Sequence, residues 1–263
     1  VSLPVDEFPK IGDQEEEREH LIFDAEIFKD MVKQTSFAAS VDESKGVLVG
    51  VLTEIHPESV SMVALDGYRL AVSTEKMNSG QENHFIISAK IINEISKIIA
   101  EDGDAEEVEI YLGKKKATFR IDTTEIVLRL MEGEYIKYRD IMPTQSTTDI
   151  VIGRAILQES IERASLLARE GKNNLIKMTI KNNLLTITSR SEEGNVKEEI
   201  IMEKEGEDLE IGFNSKFVID VLKVIDDDEI AMHFLTGTSP CMVKPVSGDA
   251  YEYLILPVRI PTM

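Results

Sequence analysis

The chain has 263 residues, 42% of them apolar and 30% charged, enough for about two domains with a sizeable core. No apolar run approaches the roughly 18 residues of a membrane span, the start lacks a signal peptide's basic-then-apolar layout, and the single cysteine, Cys241, excludes a disulfide framework or Cys-cluster zinc site. A reducing, cytoplasmic setting fits, while 29 basic against 49 acidic residues (net charge -20) argue, taken alone, against a nucleic-acid partner, because phosphate binding favours a basic surface.

In chain order, residues 1–17 carry Pro4 and Pro9 without periodicity and read as a linker. Four amphipathic segments follow, at 24–34, 88–99, 153–170 and 214–225, each predicted to be a helix and each preceded by a short apolar strand (20–23, 85–87, 150–152 and 209–213). After each helix come β-type runs joined by turn residues: 46–55 with 60–65, 108–112 with 117–121, 176–180 with 184–188 across Asn182–Asn183, and 230–235 with 241–243. Residues 140–148, with Pro143, make the best junction, which predicts domains at 18–143 and 144–263.

The helices form a repeat. Aligning Ile27, Ile91, Ile156 and Phe217 gives offsets of 64, 65 and 61 residues. An apolar residue follows each (Phe28, Ile92, Leu157, Val218), and an acid stands three positions on (Asp30, Glu94, Glu159, Asp220). Such a four-fold recurrence is the signature of a repeat architecture, with strand, helix and further antiparallel strands in each unit and two units per domain.

The acidity is uneven. Runs at 13–19, 101–107, 203–210 and 226–229, two of them interrupted by Gly103 and Gly206, read as solvated loops. The helices instead carry cations: Lys29, Lys33, Lys90, Lys97, Arg154, Arg163, Arg169, Lys216 and Lys223. Lys90 and Lys97 flank Glu94, and Lys216 and Lys223 flank Asp220, as helical ion pairs do. No nucleotide-binding glycine loop, nucleophile elbow or zinc-protease motif occurs. His20, His56, His84 and His233 are scattered, so neither a catalytic residue nor a metal or cofactor site is expected.

Residues 61–73 (SMVALDGYRLAVS) depart from plain alternation: Asp66-Gly67 makes a tight turn that presents Tyr68, Arg69 and Leu70. Here the chain resembles the bacterial sliding clamp family, the beta subunit of DNA polymerase III. DGYRLA is similar to the family's Asp-Gly-His/Tyr-Arg-Leu-Ala motif, and EYIKYRDIMP (134–143) to its Phe-Pro-Asp-Tyr-Arg segment ending in Pro. IGFNSKFVIDVLK (211–223) resembles its Gly-Phe-Asn segment, YLILPVRI (253–260) its C-terminus, and SLPVDEFP (2–9) its interdomain linker. Five modest motifs in the correct order make the resemblance specific.

The resemblance implies an α+β DNA clamp fold: two tandem domains of two strand-helix-strands repeats, with helices on the inner face of a ring and antiparallel sheets outside. The first of the family's three domains would be absent. It implies a non-catalytic processivity factor of replication whose full-length form is a head-to-tail homodimer ring around duplex DNA. Lys29, Lys33, Lys90, Lys97, Arg154, Arg163, Lys216 and Lys223 would face the phosphates without reading sequence, and pairing with Glu94 or Asp220 would keep those contacts weak. The ring would tether the polymerase III alpha subunit, the clamp loader and other proteins through peptides of the Gln-x-apolar-x-Phe type. Their pocket would be walled by Leu48, Leu65, Gly67, Tyr68, Arg69 and Leu70, by Ile136, Asp140 and Ile141, and by Leu254, Leu256, Pro257, Val258 and Arg259. Ile136, Asp140 and Leu65 depart from the family's usual Pro, basic residue and Thr, and Pro261–Met263 extends past its usual end. On this reading the acids sit on the outside and the cations on the helices, so the net charge opposes tight DNA binding but not sliding. The rival readings are an acidic protein-interaction module unconnected with replication and a nucleotide-handling enzyme with an unrecognised site.

Overall fold

The computed structural model describes residues 19–102, 105–169, 172–192 and 194–260. The expected linker at 1–17, Gly103, Glu170 and the tail Pro261–Met263 lie outside these residues.

Four units follow one another. The first is β1 (Glu19–Asp24), α1 (Ala25–Thr35), β2 (Gly50–His56), β3 (Ser59–Leu65) and β4 (Arg69–Lys76); the second is β5 (Asn83–Ser88), α2 (Ala89–Asp102), β6 (Glu107–Leu112), β7 (Lys116–Ile121) and β8 (Thr124–Arg129). The third is β9 (Thr148–Gly153), α3 (Arg154–Ala168), β10 (Leu175–Lys181), β11 (Leu184–Ser191), β12 (Gly194–Ile201) and β13 (Glu203–Gly206). The fourth is β14 (Leu209–Asn214), α4 (Ser215–Leu222), β15 (Glu229–Phe234), β16 (Cys241–Pro245) and β17 (Tyr251–Ile255).

α1 and α4 start where the sequence supplies side-chain acceptors for the orphan N–H groups of a first turn, whereas α3 starts at Gly153 without one. Asp24 accepts from the N–H groups of Glu26 and Ile27 at 2.9 and 3.0 Å, and Asn214 from that of Lys216 at 3.0 Å. The repeat register has a direct structural meaning. Phe28, Ile92, Leu157 and Val218 are buried, whereas Ile27, Ile91 and Ile156, one residue earlier, are exposed. One residue of helix turns the side chain by about 100°, so neighbouring apolar positions cannot share the core.

Every strand pairing is antiparallel. The leading strand of each unit crosses to its neighbour's strands: β1 pairs with β6, β5 with β2, β9 with β15 and β14 with β10. Two four-stranded sheets result, β1-β6-β7-β8 and β12-β11-β10-β14. The third sheet has nine strands, ordered β13-β9-β15-β16-β17-β4-β3-β2-β5. It runs through both halves of the chain because β17 pairs with β4, from Tyr251 opposite Ser73 to Ile255 opposite Arg69. α1 packs on α2 and α3 on α4. No helix among the described residues is long and apolar enough to cross a membrane.

Two expectations need correction. Residues 46–49 were expected to begin a strand but lie in a 3-10 segment, Glu43–Val49, in which Gly46 has φ +59 and breaks the extended run. The acidic run at 203–210 was expected to be a loop, yet Glu203–Gly206 pairs with β9. An edge strand needs only its backbone groups, and its acidic side chains, Glu203 and Glu205, remain exposed.

Candidate functional site

Side chains alternate across the nine-stranded sheet. Val51, Met62, Ala64, Ala71, Val243, Tyr253 and Ile255 join the core beneath the helices, while Leu52, Val63, Leu65, Leu70, Val72, Met242 and Leu254 form a second apolar cluster on the opposite, outer face. Leu65 lies opposite Leu70, Leu70 opposite Leu254, and Leu254 opposite Met242. This row crosses the β4–β17 seam, where the two halves of the chain meet.

A cavity of about 220 Å³ opens above the seam. The β3–β4 hairpin contributes Leu65, Gly67, Tyr68, Arg69 and Leu70, β17 contributes Leu254 and the segment just after it Leu256, and the 3-10 turn Tyr138–Ile141 contributes Ile141. Gly67, at φ +93, occupies the first position of a two-residue hairpin loop, which only a residue tolerant of positive φ fills without strain. Asp66 locks the turn by accepting from the N–H groups of Tyr68 and Arg69 at 2.8 and 3.0 Å. Leu256 N–H donates to Tyr68 O at 2.9 Å, fixing the end of the C-terminal strand against the turn.

Arg69 organises the polar edge. Its side chain is 9% exposed and meets two carboxylates, with Nε 3.1 Å from Asp66 and a terminal nitrogen 2.6 Å from Asp220 of α4. The other terminal nitrogen donates to Phe37 O at 2.8 Å. The guanidinium lies over the rings of Phe37 and Phe217, 5.1 and 5.0 Å from their centroids, and Tyr68 stacks on Phe217. Such a planar, fully engaged cation is held in one orientation. The expected pairing of Asp220 with its helix neighbours Lys216 and Lys223 is therefore corrected. Asp220 turns instead to a cation 151 residues away, because the nearly buried guanidinium of Arg69 has donors to spare after Asp66 and draws in a second carboxylate.

Six other residues expected at this pocket stand outside its wall. Leu48 packs into the apolar layer below it. Ile136, just before the 3-10 turn, and Asp140, within it, are exposed, and Pro257, Val258 and Arg259 follow the last strand, with Val258 N–H donating to Gly212 O at 2.8 Å. Pro240 lines the cavity and was not anticipated. It sits in a loop with no apolar periodicity, so its position follows only from the β15–β16 connection.

The helix cations occupy a different environment. Lys29 pairs with Glu26 at 2.7 Å, Lys33 with Asp226 at 3.1 Å, Lys97 with Glu94 at 2.7 Å and Lys223 with Glu162 at 3.9 Å. Arg163 meets Glu198 at 2.8 Å, which raises its own pKa and lowers that of Glu198 through their hydrogen bond. Lys90 and Lys216 are exposed, and no ion pair engages them among the described residues. Arg154 acts locally, donating to the carbonyl of Asp227 at 2.9 Å. Among the described residues no cluster of His, Cys, Asp or Glu is placed to hold a metal. Burial pushes the Cys241 thiol well above its usual range.

Family models of the DNA polymerase III beta subunit match the chain in two consecutive blocks, the central domain over residues 23–137 and the C-terminal domain over 139–259. A beta sliding clamp of Staphylococcus epidermidis is 37% identical over 236 residues, and one of Staphylococcus aureus is 35% identical over 236. Each match covers 89% of this chain and 62% of the relative, so the chain spans less than two thirds of the length of these curated relatives. Among solved structures, the DNA polymerase III beta subunit of Thermotoga maritima superposes with a TM-score of 0.91 at 33% identity, covering 98% of this chain and 70% of that one. The DNA polymerase sliding clamp of Bacillus subtilis gives 0.92 at 32%, covering 98% and 69%.

Proposed function

The chain belongs to the DNA polymerase III beta-subunit family, and we propose that it serves replication as the middle and C-terminal part, divided at 18–143 and 144–263, of a non-catalytic sliding clamp. In the complete cytoplasmic protein, a head-to-tail homodimer ring encircles duplex DNA and tethers the polymerase alpha subunit, the clamp loader and other clamp-binding proteins. The observation that carries this reading is the apolar cavity at the β4–β17 seam, edged by Arg69. Concave apolar sites with a few fixed polar groups suit short peptides with bulky anchors, and Gln-x-apolar-x-Phe peptides supply both the anchors and an amide. The fourteen residues from Leu48 to Arg259 named for this pocket are assigned to it, those outside the wall as its rim and support.

The eight helix cations, from Lys29 to Lys223, are assigned to the DNA-facing surface. Most are already shared with carboxylates, so each offers phosphates only a weak, exchangeable contact. A ring that holds DNA by topology needs no more, because enclosure replaces affinity.

Titration of a fluorescent Gln-x-apolar-x-Phe peptide tests the pocket. Binding in the micromolar range, weakened at least about tenfold by Arg69→Ala or Leu256→Ala, is the expected result. Binding that both substitutions leave untouched would contradict the assignment.

A further inference from the structure

The apolar row on the outer face does not stop at Met242. Met242 lies opposite His233 on β15, and His233 lies opposite Asp149 on β9. One transverse line of side chains thus runs Leu65, Leu70, Leu254, Met242, His233, Asp149 across six strands, changing from apolar to ionisable along its length. Over its polar end lies a second cavity of about 320 Å³, larger than the one at the seam. The two cavities share Pro240 as a common wall.

The charged group lining this second cavity is Lys244; the rest of its polar wall is His233, Thr144, Gln145 and Ser146. An acid stands behind each of the two basic side chains. His233 Nδ1 is 2.6 Å from Asp149, and Lys244 is paired with Glu252. Each acid holds one polar position of its partner: the Lys244 ammonium, with three N–H donors, keeps others available, whereas the second ring nitrogen of His233 accepts in the neutral ring and donates only in the protonated one. The wall of the cavity therefore presents the Lys244 ammonium with donors to spare, in a protein of strongly negative net charge.

We infer that the second cavity is a polar extension of the peptide groove, and that it takes a carboxylate of the same peptide whose apolar anchors fill the seam cavity. This rests on the peptide-docking reading above. The adjacency of the two cavities on either side of Pro240 and the Lys244 cation in the lining point to an acidic side chain or a chain-terminal carboxylate as the occupant. Spacing follows from sheet geometry. Leu254 and His233 are two strands apart, about 10 Å at the usual strand separation, and an extended peptide advances about 3.3 Å per residue. The carboxylate thus sits about three residues from the anchor that rests on Leu254.

The test compares peptides by fluorescence anisotropy on the full chain. A Gln-x-apolar-x-Phe peptide is measured alone and with Asp, Asn or Lys about three residues beyond either terminal anchor; a further pair ends there in a free carboxylate or an amide. The Asp-extended peptide is expected to bind about fivefold more tightly than the Asn-extended one from one end of the peptide. Lys244→Glu should erase that gain and favour the Lys extension while leaving the unextended peptide's affinity unchanged, and His233→Gln should reduce the gain. The free-acid and amide pair separates a chain end from a side chain as the carboxylate's source. Equal affinity of the Asp and Asn peptides at both ends, or a gain that persists in Lys244→Glu, would overturn the inference. Failure of the unextended peptide to bind would instead overturn the docking reading itself, and this inference with it.

Discussion

The outer face of the nine-stranded sheet and the exposed flank of the helices handle charge in opposite ways. At the seam a single buried guanidinium is held by two carboxylates, a carbonyl and two aromatic rings. On the helices, many cations share exposed carboxylates singly, and the side chains of Lys97 and Glu94 are 65% and 61% exposed. Buried, multiply bonded groups define one geometry and can discriminate between ligands. Exposed pairs contribute little each and exchange readily with solvent or phosphate. On the proposed function, the difference separates a surface built for recognition from one built for passage.

Breaking the seam should have the largest effect. Leu70→Ala removes a side chain that is 1% exposed, midway between the cavity and its supporting layer, and should cost about 3 kcal/mol in urea unfolding together with peptide binding. Arg69→Ala leaves Asp66 and Asp220 facing each other's surroundings without their shared cation and should cost about 2 kcal/mol. Arg69→Lys should recover only part of this, because an ammonium cannot reproduce the forked contacts to Asp66, Asp220 and Phe37 O.

The helix flank should respond weakly. DNA binding by the chain is expected to be weak and lost on adding salt. Lys90→Ala or Lys216→Ala should each change DNA retention by no more than about threefold and lower the salt slope by about one, with peptide affinity unchanged. A large, sequence-dependent loss from either substitution would erase the distinction between the two surfaces. The smallest effect belongs to Cys241. Its raised thiol pKa keeps it protonated and unreactive at neutral and mildly alkaline pH, so alkylation should require unfolding and leave native binding untouched.

Much of this contrast could be read from residues alone, and the limits are physical. The four helices and their leading strands were legible because a buried stripe imposes a 3.6-residue period and a strand an alternation. Asp66-Gly67 was legible because a two-residue hairpin restricts its residues so tightly. The β4–β17 seam was not, since pairing between strands about 180 residues apart leaves no local pattern. For the same reason Asp220 looked like the helix partner of Lys216 and Lys223: spacing offers those neighbours, while burial of Arg69 decides between them. Residues 203–206 read as a loop because an edge strand pairs through its backbone, whatever charges its side chains carry. Pro240 reached the cavity through a turn that no periodicity announces.

The central claim, that recognition sits on the outer seam and DNA passes the helices, is tested most directly by methyl NMR on the Leu- and Ile-labelled chain. Adding a Gln-x-apolar-x-Phe peptide should shift Leu65, Leu70, Leu254 and Leu256, leaving Ile27, Ile91 and Ile156 in place. Adding duplex DNA at low salt should do the reverse. Peptide-induced shifts confined to the helix isoleucines, with the seam leucines unmoved, would contradict the account.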